Sequence, residues 1–330
     1  AIGSSNDPTP FSTIFTGMIF ANLFYWCTNQ YVIQRTLGAK NLAEGQKGVL
    51  LSGFFKVLIP FMMMIPGVIA YHLYGPNLSS IDQAFPRLIR DILPDYLTGF
   101  FLAVLLGAVF SSFNSLLNSA ATLFCLDVYL PLKKGHANDK TLIRIAKISS
   151  VVIALFSFFV APLLQYAPDG LWQIIRIFTG FYNIPVIVLV IVGLSTKKVP
   201  PIGAKVVIIV HIFFYGLFQF VFKDYLQIHF LHLYAILFII EVIIMLVIGY
   251  LIPSPKAWIY PKRETINLRP WKYILPVSIS LFSAIIFIYI LFSPIGIVGG
   301  FSPLFWPLSL AICFVNIFVW SIKFYQLIHH

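Results

Sequence analysis

Residues 15–36 read Phe15-Thr-Gly-Met-Ile-Phe-Ala-Asn-Leu-Phe-Tyr-Trp-Cys-Thr-Asn-Gln-Tyr-Val-Ile-Gln-Arg-Thr36. The stretch is long and apolar enough to cross a bilayer, which takes about 20 residues. Its middle nevertheless carries Asn22, Tyr25, Trp26, Thr28, Asn29, Gln30 and Gln34. Each unsatisfied polar group in hydrocarbon is costly, so a helix built only to sit in lipid would not hold that load. Polar-centred spans face a water-filled path or a substrate, and this one reads as part of a transport pathway.

The rest of the chain agrees with a membrane setting. It is 59% hydrophobic and 10% charged, whereas soluble domains carry about 25% charged residues. That excludes an ordinary soluble globular domain. The net charge of +11 does not point to nucleic acid. The basic residues sit in short loops between apolar runs, not in a patch interleaved with aromatics. Cys27, Cys125 and Cys313 lie in apolar segments without CxxC spacing and read as packed thiols.

Hydropathy predicts nine spans, at roughly 10–34, 46–74, 97–131, 142–166, 170–194, 202–222, 230–252, 272–292 and 304–325. The third run is too long for one crossing and should extend into water. The loops give an orientation. One alternating set holds Arg35, Lys40, Lys47, the group from Lys133 to Lys147, Lys197, Lys198, Lys205, Lys256, Lys262, Arg263, Arg269, Lys272 and Lys323. Together these are 17 of the 22 Lys and Arg residues. The opposite set holds only Arg87, Arg90 and Lys223. Positive loops stay in the cytoplasm, so the chain is expected to start outside and end inside. Residues 1–9 are then an extracellular loop, and Ile81–Leu93 an amphipathic helix on the outer surface. The short loops suit a bacterial inner membrane.

Several polar groups fall inside spans. Lys56 lies about 15 Å into the second span at about 1.5 Å per residue. It either snorkels to the inner interface or lines a cavity shared with the polar first span; the second reading is preferred. Arg176, just after Trp172 and Gln173, allows the same two readings. Its fork suits a planar carboxylate better than a neutral hydroxyl. Glu241, the one carboxylate near the middle of a span, and His211 are read as structural, although a buried Glu can also carry protons or pair with a base.

The third span carries Ser111, Ser112, Ser115, Asn118 and Ser119. Small residues are common helix-packing groups in membranes. Adjacent Ser111 and Ser112, with the carbonyl of Ala108, also make half of an oxygen cage suited to a hard monovalent cation such as sodium. There is no Walker loop, GxSxG, HExxH or pair of carboxylates at catalytic spacing. An ATP-driven pump is disfavoured and the chain is not expected to be an enzyme.

The chain resembles the solute:sodium symporters, in their sodium/glucose cotransporter-like branch, over roughly residues 10–200. The stretches that carry the resemblance are Asn22-Leu-Phe-Tyr-Trp, Asn29-Gln-Tyr-Val-Ile-Gln-Arg-Thr-Leu-Gly-Ala-Lys, Gln46-Lys-Gly through Lys56 to Pro60, Pro66-Gly, Ala108-Val-Phe-Ser-Ser, Leu117-Asn-Ser, Leu126-Asp-Val-Tyr, and Phe178-Thr-Gly before Pro185. The resemblance implies an all-α fold of about nine transmembrane helices with a LeuT-type inverted-repeat core. Residues 10–194 would form the second repeat, as five helices, and residues 195–330 four peripheral helices. The first repeat, an N-terminal half of the same protein, would then lie outside these residues.

The same resemblance implies site roles. Tyr25 resembles the inner-gate aromatic that stacks on a sugar ring, and Asn22 the residue that positions that gate. Lys56 resembles a donor to sugar hydroxyls. Trp26 and Gln173 complete the expected substrate-binding set. Ala108, Ser111 and Ser112 match a sodium-ligand triplet. Arg176 departs from the pattern, since sugar-transporting members tend to have Gln three residues before the Thr-Gly pair. That points away from ordinary glucose and leaves open an acidic sugar. The expectation is sodium-coupled symport of a sugar or sugar-like solute by alternating access, with lipid and the small-molecule substrate as partners and no nucleic acid. The rival is a sodium-independent sensor or channel-like protein on the same fold.

Overall fold

The computed structural model describes residues 10–78, 81–166, 171–222, 225, 228–257 and 266–328. The expected outer loop 1–9 and the loop cations Lys223, Lys262 and Arg263 lie outside the described residues. Among the described residues all regular structure is helical. Among these residues, eight helices are long and apolar enough to cross a membrane. The protein is therefore an all-α polytopic membrane protein.

The first expected span differs. Residues 10–34 are not one crossing helix but a 3-10 turn (Phe11–Phe15), α1 (Gly17–Cys27) and α2 (Gln30–Leu37). The cause is local. The N–H groups of both Thr28 and Asn29 bond to the Phe24 carbonyl at 3.0 Å, and the Thr28 hydroxyl donates to that carbonyl at 2.9 Å. In a regular helix the Asn29 N–H would reach Tyr25 instead. The ladder stops at Phe24 and restarts at Asn29, where Val32 and Ile33 donate to its carbonyl.

The other spans fall where hydropathy placed them. α3 (Leu42–Tyr74) starts at Asn41, whose side chain accepts from the Glu44 N–H, a standard N-cap. The amphipathic stretch folds into α4 (Ala84–Ile92), which buries Leu88. α5 (Asp95–Leu123) runs on through a π-helical stretch (Phe124–Tyr129) and a last turn, α6 (Leu130–Leu132). That makes 38 residues in all, the over-long span expected. α7 (Asp139–Val160) is capped by Asn138. Then come α8 (Leu171–Ser195), α9 (Pro201–Phe220), α10 (Phe230–Leu251), α11 (Ile274–Leu291) and α12 (Phe305–Ile328).

The chain divides into two contact units. The first comprises residues 1–34 and 79–261. In it α1, α8, α9 and α10 pack together around Ile184, Val188, Val207, Tyr215, Leu231 and Tyr234. Two glycines permit the closest approaches. A Cβ on Gly17 would run into the Leu231 carbonyl, and one on Gly180 would run into the hydroxyls of Tyr215 and Tyr234. In the same unit α5 packs on α7, with buried Cys125 near the Leu142 carbonyl. Cys27 and Cys313 are exposed, so the expectation of packing holds only for Cys125.

The second unit comprises residues 35–78 and 262–330, in which α11 packs on both α3 and α12. Gln46 on α3 accepts from the Trp271 N–H at 2.7 Å, and Trp320 on α12 donates to Ser280 on α11 at 3.0 Å. Within the best apolar windows, α8 and α10 are 39% and 33% buried, while α3 and α5 are 0% buried. The latter two therefore present apolar faces that water would not tolerate and that lipid or further protein must cover.

Candidate functional site

The break after α1 assembles an aromatic cluster. Tyr31, on the far side of the break, donates its hydroxyl to that of Tyr25 at 2.7 Å. Tyr25 also meets Trp26 edge-to-face at 5.3 Å. One turn earlier, the Asn22 amide donates to the Met18 carbonyl at 2.8 Å. Asn22 and Trp26 are exposed, and Tyr25 is half-buried. Three of the expected substrate-binding residues thus lie on or beside the last turns of an interrupted helix.

Arg176 belongs to the same neighbourhood. An Nη2–H of its guanidinium points at Met18 Sδ on α1, at 3.4 Å, and the group lies over the Phe230 ring of α10 at 5.4 Å. It therefore sits half-buried between α1 and α10, beside the turn that carries Asn22. Gln173, three residues back on the same helix face, has a buried Oε1 with no hydrogen-bond partner among the described residues. A buried acceptor left open is costly, and a ligand hydroxyl or ammonium would satisfy it.

Sequence reasoning treated His211 and Glu241 separately, and the structure joins them. His211 Nδ1 lies 2.6 Å from Glu241 Oε1, and both side chains are completely buried. The other ring nitrogen, Nε2, lies 2.9 Å from the Gly180 carbonyl on α8. Two tyrosines act on the same helix. The Tyr215 hydroxyl donates to the Ile177 carbonyl at 2.9 Å, and the Tyr234 hydroxyl to the Arg176 carbonyl at 2.6 Å. Sequence reasoning read each as structural and missed their partnership.

Ala108, Ser111 and Ser112 sit on one turn of α5, and all three are exposed. The Ser111 carbonyl already accepts from the Ser115 hydroxyl at 2.8 Å. Lys56 is exposed on α3, in the second unit.

These features define a helical membrane protein with many spans, preceded by two short helices separated by a break in a polar stretch. The sodium:solute symporter family model matches residues 5–211, and the chain belongs to that family. It is 39% identical over 289 residues to an uncharacterized symporter, YidK, of Escherichia coli (strain K12), covering 88% of this chain and 50% of that protein. It is 31% identical over 217 residues to a sodium/glucose cotransporter of Vibrio parahaemolyticus, covering 61% of this chain and 40% of that one. It is also 31% identical over 212 residues to sodium/myo-inositol cotransporter 2 of Homo sapiens, covering 59% of this chain and 31% of that one. The chain thus spans half or less of the length of these curated relatives. The family is one of symporters, so membership agrees with a protein that is not an enzyme.

Proposed function

We propose that the full-length protein is a sodium-coupled secondary symporter for a sugar or sugar acid, working by alternating access in a plasma membrane. Family membership over residues 5–211 carries the reading. In it, residues 10–194 are the second half of an inverted-repeat core and residues 195–330 are peripheral helices. An N-terminal half supplies the other wall of the site, the chain starts outside, and it ends in the cytoplasm. The relatives named for glucose and for myo-inositol favour a polyhydroxylated solute.

In this reading the solute binds near the interrupted helix. Tyr25 and Trp26 offer aromatic faces, and Asn22 and Gln173 offer amide groups. Arg176 supplies a fork for a carboxylate. Sodium, the co-transported ion, is held by the hydroxyls of Ser111 and Ser112 and the Ala108 carbonyl. The exposure of this turn on α5 supports a second wall contributed from elsewhere in the protein. Sodium then moves inward down its gradient, with the membrane potential adding about 2.3 kcal/mol per charge per 100 mV.

The test is uptake by the full-length protein in proteoliposomes under an inward sodium gradient, with neutral sugars screened beside sugar acids. Sodium-driven uptake of either class supports symport. A solute that binds or leaks without sodium dependence replaces it with the sensor or channel-like reading.

A further inference from the structure

Three side chains from two neighbouring helices converge on one face of α8. Tyr234 donates to the carbonyl of Arg176, Tyr215 to that of Ile177 and His211 to that of Gly180. Helix carbonyls have a second lone pair for such bonds. Tyr215, Tyr234 and His211 are among the largest fully buried side chains, so these are not chance surface contacts. The bonded turn also carries the Arg176 side chain, which reaches toward α1.

The protonation pattern of His211 follows from its partners. The Gly180 carbonyl can only accept, so Nε2 must carry a hydrogen. Nδ1 and Glu241 Oε1 then share one proton across 2.6 Å, whichever atom holds it. Glu241 thereby holds the imidazole in the form that can bond α8, as a carboxylate orients a working histidine elsewhere. The second Glu241 oxygen is buried without a hydrogen-bond partner among the described residues. An apolar side chain would fill the same space without that penalty, so packing alone does not account for a carboxyl here.

We propose that Glu241, His211, Tyr215 and Tyr234 are positioning residues that lock the rotation of α8 about its own axis, and so aim Arg176 at the solute path without touching solute. A helix packed only by apolar side chains in lipid has little to fix its rotation, because lipid tails are as apolar as the interface. Directed bonds to three carbonyls within five residues supply that restraint. The solute effect rests on the transport reading above, whereas the aim of residue 176 does not.

The test uses the full-length protein in membranes, with Glu241→Gln and Glu241→Leu compared. Gln can donate an amide N–H to Nδ1 and keep Nε2–H on Gly180; Leu cannot. In a background with every native cysteine of the full-length protein changed to Ser, Cys27, Cys125 and Cys313 among them, an Arg176→Cys reporter is labelled with a charged methanethiosulfonate. The labelling rate should change at least threefold with Leu at 241 and stay within about 1.5-fold with Gln. With Arg176 present, Leu should raise the KM for uptake at least fivefold with Vmax within twofold, and Gln should restore it. If Glu241→Leu does not fold, Tyr234→Phe replaces it, with the same expected direction. A role confined to stability lowers the amount of folded protein and leaves labelling rate and KM unchanged, which would overturn the proposal. If no solute is transported even by the unaltered protein, the symport reading falls and the labelling rates alone decide the positioning.

Discussion

His211 and Glu241 meet side chain to side chain at 2.6 Å between α9 and α10, both completely buried. Neither side chain is open to solvent that could replace a lost partner. Truncating one should therefore leave the other stranded, at about 1–3 kcal/mol for a neutral hydrogen-bonding group and about 3–5 kcal/mol for a charged one. His211→Leu and Glu241→Leu should each destabilise by such an amount, and the double variant by less than the sum. Thermal unfolding of the detergent-solubilised protein, run as a double-mutant cycle, checks this. Additive losses would show that the two side chains do not depend on each other.

Gly180 lies on α8 facing both tyrosine hydroxyls. A Cβ there would collide with Tyr215 and Tyr234, so Gly180→Ala should cost about 1–3 kcal/mol, the usual cost of overpacking. Changing both tyrosines to Phe removes the two oxygens but leaves the ring carbon Cζ of residue 215 in the way. In that background Gly180→Ala should cost less than in the unaltered protein, without becoming neutral. The same unfolding assay reads both.

Arg176 lies between Met18 and Phe230, with Gln173 one turn away. A charge-assisted bond to a carboxylate contributes about 1.5–3 kcal/mol, equivalent to roughly 10- to 150-fold in affinity. Arg176→Gln should lower the preference for a sugar acid over the matching neutral sugar by about that factor. Competition of the two solutes for uptake measures it. An unchanged ratio would place the guanidinium outside the contact set.

Much of this architecture is legible in hydropathy because a bilayer demands about 20 apolar residues per crossing. Eight of nine expected spans appear within a few residues of their expected ends, including the over-long run that becomes α5 and its π-helical continuation. The ninth does not, because the break at Thr28–Asn29 is made by backbone hydrogen bonds shifting onto Phe24, while apolar residues continue on both sides. The polar load of that segment was the visible signal, and it did not reveal the break.

The pairing of His211 with Glu241 was hidden for another reason. Each looks like an isolated polar residue in its own span. The clue lies in depth: His211 is about ten residues from the end of α9 and Glu241 about ten from the start of α10. Two antiparallel neighbours would therefore place them level, at about 1.5 Å per residue. That inference needs α9 and α10 to be neighbours, which hydropathy alone does not say.

The central claim is that sodium and solute move together through a site that includes Ser111 and Ser112. The most direct measurement is labelled sodium flux and labelled solute flux in the same proteoliposomes, for the full-length protein and its Ser111→Ala/Ser112→Ala variant. The account predicts a fixed ratio of the two fluxes in the unaltered protein, and loss of sodium activation in the variant. Solute flux without a matching sodium flux, or full sodium activation after both serines are replaced, would contradict it.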